Sequence, residues 1–97
     1  MHLVISYWEA LPGHEEEFDA AAPKLLGLLT KQPGVLLAEG FRTGNRHVAV
    51  CGYENEAAQR AIVDDPDSVF NQALKEQGEG TVARWISSES GETFQHA

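Results

Sequence analysis

Ser6 and Trp8 in "HLVISYW", Tyr53 at the end of "RHVAVCGY" and Arg84 in "TVARWIS" are the polar or amphipathic residues on otherwise apolar stretches of this chain. A small-molecule pocket is mostly apolar with a few convergent polar groups, and these residue types can serve as such groups. An indole stacks on a flat ring, a phenol or serine hydroxyl donates to an oxygen, and a guanidinium holds an anion. Cys51 and Phe70 are read as apolar wall beside them. No sequence neighbour of Cys51 would activate a thiolate, so it is read as a small hydrophobe rather than a nucleophile.

Histidines offer a second constellation. Alternation puts His2, Val4, Ser6 and Trp8 on one face of a first strand, and His47, Ala49, Cys51 and Tyr53 on one face of another. If those strands are parallel neighbours, as we expect, His2 and His47 begin them side by side and Glu39 could complete a divalent-metal site. The complete ligand geometry is a demanding requirement, so the expectation is two strand-end histidines and no metal. His14 precedes Glu15, Glu16 and Glu17, but the metalloprotease pattern needs a second histidine where Phe18 stands. No phosphate-binding loop, dinucleotide fingerprint or nucleophile elbow occurs.

The elements that position these residues are legible. His2 to Trp8 is a strand of aromatic and branched side chains. Pro12-Gly13 and Pro33-Gly34 bracket a helix whose acidic start suits its dipole and whose Phe18, Ala22, Leu25 and Leu29 share a face. Pro23 inside it predicts a kink or break near Asp19 to Ala22. Val35 to Phe41 and Arg46 to Tyr53 form a hairpin through Gly44-Asn45. Asn55 caps a second helical region that Asp65-Pro66 interrupts before it resumes at Val69 and stops near Gly78. Thr81 to Ser87 is the last strand. The order β-α-β-β-α-β is the ferredoxin-like split motif, an α+β fold with a four-stranded antiparallel sheet and helices on one face. The expected domain covers 1–88, followed by a polar tail over 89–97.

The strands are apolar on both faces, and two helices cover only one. The economical cover for the other is the sheet of a second subunit, giving a homodimer. The 97 residues suffice for one domain, which by itself buries about two-thirds of its unfolded surface. A net charge of −8 opposes nucleic acid and anionic membranes. One cysteine, no signal-peptide pattern and no long apolar run lead us to expect a cytoplasmic protein that does not enter membranes.

"LPGHEEEFDAAAPKLLGLLTKQPGV" resembles the strand, Pro-Gly, acidic helix start and Gln-Pro-Gly signature of the antibiotic biosynthesis monooxygenase domain. "HVAVCGYENEAAQRA" resembles its third strand and second helix start. The resemblance covers roughly residues 2 to 87 and implies a dimeric α+β barrel. It implies, for one branch, oxygenation of quinols or anthrones without metal or flavin, and for another, haem degradation. The haem-degrading type needs an Asn on the first strand and a Trp and His on the second helix. Ser6 stands nearest that Asn, and residues 55–77 hold neither Trp nor His. The resemblance therefore implies a monooxygenase without cofactor, acting on a small aromatic molecule. In such an oxygenase Arg84 would hold an oxyanion, Tyr53 or a bound water would transfer a proton, Ser6 would assist, and Trp8 would stack on the ring. The alternatives are a non-catalytic dimeric binding or structural module and, below it, an isomerase or lyase of a related barrel.

Overall fold

The structure, a computed structural model, describes residues 1–95 of the chain. Seven elements follow in order: β1 (His2–Ala10), α1 (Glu15–Leu29), β2 (Val35–Thr43), β3 (Arg46–Tyr53), α2 (Glu56–Val63), α3 (Val69–Glu76) and β4 (Ala83–Glu92). The four strands make one sheet in the order β2-β3-β1-β4. Every pairing is antiparallel. This is the ferredoxin-like arrangement, with the second helical region divided in two.

The antiparallel pairing of β1 with β3 corrects one expectation. The α1 crossover returns the chain so that β2 runs with β1, and the tight hairpin then sends β3 the opposite way. His2 lies across from Tyr53, and Trp8 across from His47. The two histidines therefore occupy opposite ends of the sheet. Glu39 pairs with Val50, on the face away from both. The His2–His47–Glu39 metal constellation is not formed.

Helix α1 continues unbroken through Pro23. Proline removes one intrahelical bond, but Phe18, Ala21, Leu25 and Leu29 are all buried on one side of the helix, and packing outweighs the loss. His14 sits at the N-cap and its Nδ1 lies 2.9 Å from Glu17 Oε1, with the three glutamates exposed. The first Pro-Gly and its acids are punctuation. At the second, Gly34 takes φ 81°, and a Cβ there would meet the Ala58 side chain at 2.7 Å. In the β2–β3 turn only Gly44 takes positive φ, at 62°, so Gly44 rather than Asn45 makes the reversal possible.

β4 runs five residues beyond the expected end at Ser87, so residues 89–92 belong to the sheet and not to a tail. Its side chains there are polar, which is tolerable on an edge strand whose ladder needs only backbone. Of the expected tail, residues 96 and 97 lie outside the described residues. β4 also carries a bulge: Tyr7 pairs with Ser87 but Trp8 with Trp85, leaving Ile86 extra. Trp85 and Ser88 consequently stand on the same side of the sheet.

The core lies between sheet and helices in two parts. Val4, Ala38, Cys51 and Tyr53 pack with Leu29 and Ile62, while Phe18 and Ala21 pack with Val82 and Ala83. The opposite face of the sheet bears Leu3, Ile5 and Tyr7 beside Val48 and Val50, with Phe41 57% exposed. The Arg46 guanidinium lies 5.9 Å from the Tyr7 ring centre, a cation–π contact. No helix among the described residues is long and apolar enough to cross a membrane.

Candidate active site

A cavity of about 930 Å³ opens between the sheet and the helices. Its floor is the helix-facing side of β1 and β3, where the pleat presents Val4, Ser6 and Trp8 beside Ala49, Cys51 and Tyr53. Phe18, Leu25 and Leu29 of α1 wall one side, and Phe70 and Leu74 of α3 another. The lining is predominantly apolar, as a site for a flat organic molecule requires.

Five of the six expected site residues meet here. Ser6 places its Oγ 3.0 Å from Ser88 Oγ on the neighbouring strand. Trp8 stands 6.4 Å from Phe18 between ring centres, tilted by 46°, an ordinary aromatic pair. Phe70 reaches the cavity from α3. Cys51 and Tyr53 are buried in the floor. Burial pushes the Cys51 thiol up to about 11, so it stays protonated near neutrality. Tyr53 is raised further, first by burial and second by Cys51. Its hydroxyl can donate a hydrogen bond at neutral pH but does not act as a base.

Arg84 borders the cavity mouth, but its guanidinium is turned elsewhere. Arg84 Nη2 donates to Glu9 Oε2 at 3.1 Å, and the register places these two directly opposite on adjacent strands. The side chain is well exposed, so this ion pair is weak and exchangeable.

The polar end of the cavity comes from residues that sequence reasoning did not join. His47 Nε2 lies 2.8 Å from Asp19 Oδ1, and Arg42 Nη1 donates to Asp19 Oδ2 at 2.6 Å. Arg42 and His47 are register partners across the hairpin, so Gly44-Asn45 already implied their juxtaposition. Asp19 joins them from the long-range seating of α1, for which no local pattern exists. Phe18, one residue earlier, packs its ring 4.5 Å from that of His47. His47 retains 13% side-chain exposure, and its Nδ1 is buried without a hydrogen-bond partner among the described residues.

His2, at the other end, is also buried, and neither ring nitrogen is hydrogen-bonded among the described residues. Glu92 Oε1 approaches its Nδ1 to 3.3 Å without hydrogen-bond alignment.

No family model matches the chain, and no curated protein matches it significantly. Solved structures do. A Deinococcus radiodurans protein named by inference as an antibiotic biosynthesis monooxygenase superposes with a TM-score of 0.77 at 13% identity, over 100% of this chain and 96% of that one. The fold is that of the antibiotic biosynthesis monooxygenases. Rv0793 from Mycobacterium tuberculosis superposes equally well, at 0.77 and 14% identity, over 99% of this chain and 97% of its own. SnoaB, a cofactor-independent oxygenase from Streptomyces nogalater, matches with a TM-score of 0.72 and 15% identity, over 98% of this chain and 94% of its own. This antibiotic biosynthesis monooxygenase fold places the helix–sheet cavity on the side of the sheet that α1 covers.

Proposed function

We propose that the protein is a monooxygenase that needs no metal or flavin and oxidises a small aromatic molecule of the quinol or anthrone type. The observation that carries this reading is the cavity itself. Trp8, Phe18 and Phe70 offer ring faces to a flat substrate, and hydroxyl, imidazole and carboxylate groups border the same space. The likeness to SnoaB supports it, because that protein is a cofactor-independent oxygenase on the same fold.

In this chemistry the substrate supplies the electrons. Loss of a proton gives a carbanion or enolate, which passes electrons to dioxygen. For an anthrone methylene the balance is R₂CH₂ + O₂ → R₂C=O + H₂O. The protein holds the ring, removes the proton and stabilises the charged oxygen. Tyr53 and Ser6 serve as hydrogen-bond donors to that oxygen, Trp8 and Phe70 clamp the ring, and Cys51 is wall. Arg84 lies with Glu9 on the face of the sheet turned away from the cavity, so it is given no part in holding the oxyanion. Oxygen uptake with 1,8-dihydroxyanthrone tests the reading. Uptake lost in Tyr53→Phe and in Trp8→Ala, with the fold retained, supports it; no uptake by the wild-type protein sinks it.

The commitment of Arg84 to Glu9 favours a second reading, a binding module without turnover. Ligand retention without oxygen uptake would select it.

We also propose that the protein is a homodimer with sheets packed face to face. The support is the apolar outer face, where Leu3, Ile5, Tyr7 and Phe41 lie beyond the reach of the helices. A monomer mass in dilute solution would overturn this.

A further inference from the structure

We propose that β4 completes the substrate site: Trp85 is a wall on which the aromatic ring stacks, and Ser88, paired with Ser6, binds an oxygen at the edge of that ring. This assignment rests on the aromatic-substrate reading of the cavity, and its β4 residues line that cavity from the edge strand of the sheet.

Hydrogen counting singles out the serines. Trp85 Nε1 can only donate, and it donates to Ser88 Oγ at 2.8 Å. Ser88 Oγ lies 3.0 Å from Ser6 Oγ, and either hydroxyl can be the donor there. The indole N–H and the two hydroxyls carry one hydrogen each and use two of them on one another. Whichever serine donates, one hydroxyl hydrogen is left over. Both serines line the cavity, where an oxygen on a bound ring can accept it. The indole at the head of the chain polarises the hydroxyls and strengthens that last bond.

Trp85 is 56% exposed, whereas Trp8, its register partner on β1, packs against the core beside Phe18. An open indole whose N–H is already tied down offers a large ring surface with little motion left to lose on binding. The β4 bulge creates the arrangement. Positions 85 and 88 would face opposite sides of a regular strand, and the extra residue Ile86 brings both to the cavity side. The ladder then sets an aromatic row, Trp8 and Trp85, next to a hydroxyl row, Ser6 and Ser88. Neighbouring rows on one face lie about 7 Å apart, close to the reach of a ring centre plus its oxygen and one hydrogen bond. The ligand class is therefore a flat ring with oxygen at its rim. A bare hydrocarbon of the same shape would cover the serines and give them no partner.

Two probes of nearly equal shape, 2-naphthol and naphthalene, test both parts by calorimetry and by NMR of the indole N–H groups. The chain has two tryptophans, and Trp85→Phe assigns their two signals. Wild-type protein is expected to bind 2-naphthol about tenfold more tightly than naphthalene, with the Trp85 indole signal shifting to saturation. Trp85→Ala should weaken both probes by about fivefold or more. The double variant Ser6→Ala with Ser88→Ala should weaken 2-naphthol alone and bring the two affinities together. In the free protein, Ser88→Ala should move the Trp85 indole signal far more than that of Trp8, which a serine serving only the strand would not do.

Equal wild-type affinity for the two probes overturns the oxygen site. A Trp85 signal that ignores bound 2-naphthol, or unchanged affinity in Trp85→Ala, overturns the wall. Binding of neither probe overturns both, and oxygen uptake with 1,8-dihydroxyanthrone that persists in such a case leaves the oxygenase standing without them. Trp85-dependent binding without wild-type oxygen uptake removes the oxygenase and keeps the site. Trp85 and Ser88 are exposed, so their variants should fold, and the wild-type affinity ratio needs no variant.

Discussion

The two helical walls of the cavity are built differently. α1 is a single run of fifteen residues that buries Phe18, Ala21, Leu25 and Leu29. The opposing wall is two helices of eight residues each, and together they bury only Ile62. One wall is held by packing. The other is held at its joints: Asn55 accepts from the Ala58 amide, Ser68 accepts from the Asn71 amide, and Asn71 Nδ2 donates to the backbone carbonyls of Ile62, Val63 and Asp65. Helices this short are marginal without tertiary support, so the α2–α3 wall is the more open to local unfolding. The difference separates a rigid positioning wall, which carries Asp19, from an adaptable one, which carries Phe70.

The sharpest attempt to break this contrast is Leu29→Ala. Leu29 is 2% exposed and sits in the main core cluster, so the substitution should cost about 2–5 kcal/mol in denaturant unfolding. Phe70→Ala should cost less than a fully buried phenylalanine, because its ring already borders open space. Equal losses at the two sites would erase the distinction.

The floor beneath both walls provides the next test. Cys51 is buried as a neutral thiol, so the folded state resists losing its proton while the unfolded chain loses it near 9. Stability from this source is present at low pH and is lost as pH rises from about 9 toward about 11, by on the order of 2 kcal/mol. Tyr53 acts in the same direction. Chemical denaturation across that range should show the decline, and Cys51→Ala should flatten it. An unchanged slope would mean that the floor is wetter than the packing shows.

Smaller still is Ser68→Ala. It removes the N-cap of α3 and the bond that Ser68 donates to the Ile62 carbonyl, for about 1 kcal/mol. Its more telling effect should be local: hydrogen exchange should quicken across α2 and α3 and stay slow in α1. At the bottom of the scale, the exposed Glu56–Arg60 pair one turn apart on α2 should contribute less than about 0.5 kcal/mol, so Arg60→Ala should leave the unfolding midpoint nearly unmoved.

Sequence alone revealed the elements because their signals are local. Gly44-Asn45, Asn55 and the two Pro-Gly pairs each act within a few residues. It also brought Ser6, Trp8, Cys51, Tyr53 and Phe70 into one cavity, since strand alternation and an amphipathic helix decide which side each faces. Three things escaped it. Strand direction at β1–β3 depends on a crossover and a hairpin together, and parity gave His2 and His47 a shared face without saying that they sit at opposite ends. Arg84 was read by type, but its neighbour Glu9 is decided by register across β1 and β4. Asp19 was read only as the start of the stretch that Pro23 was expected to kink, and only the seating of α1 on the hairpin turns it toward His47.

Ile86 is the spare residue of the β4 bulge, and it works like a comma in a line of alternating letters. Before it, odd-numbered positions face the cavity; after it, even-numbered ones do. Removing that one residue would be a frameshift in the pleat. Either Ala83 and Trp85 or Ser88 and Ser90 would have to turn their backs on the cavity. Adding a residue pair elsewhere in the strand would keep the phase. Length changes along this edge should therefore be tolerated in twos and rejected in ones.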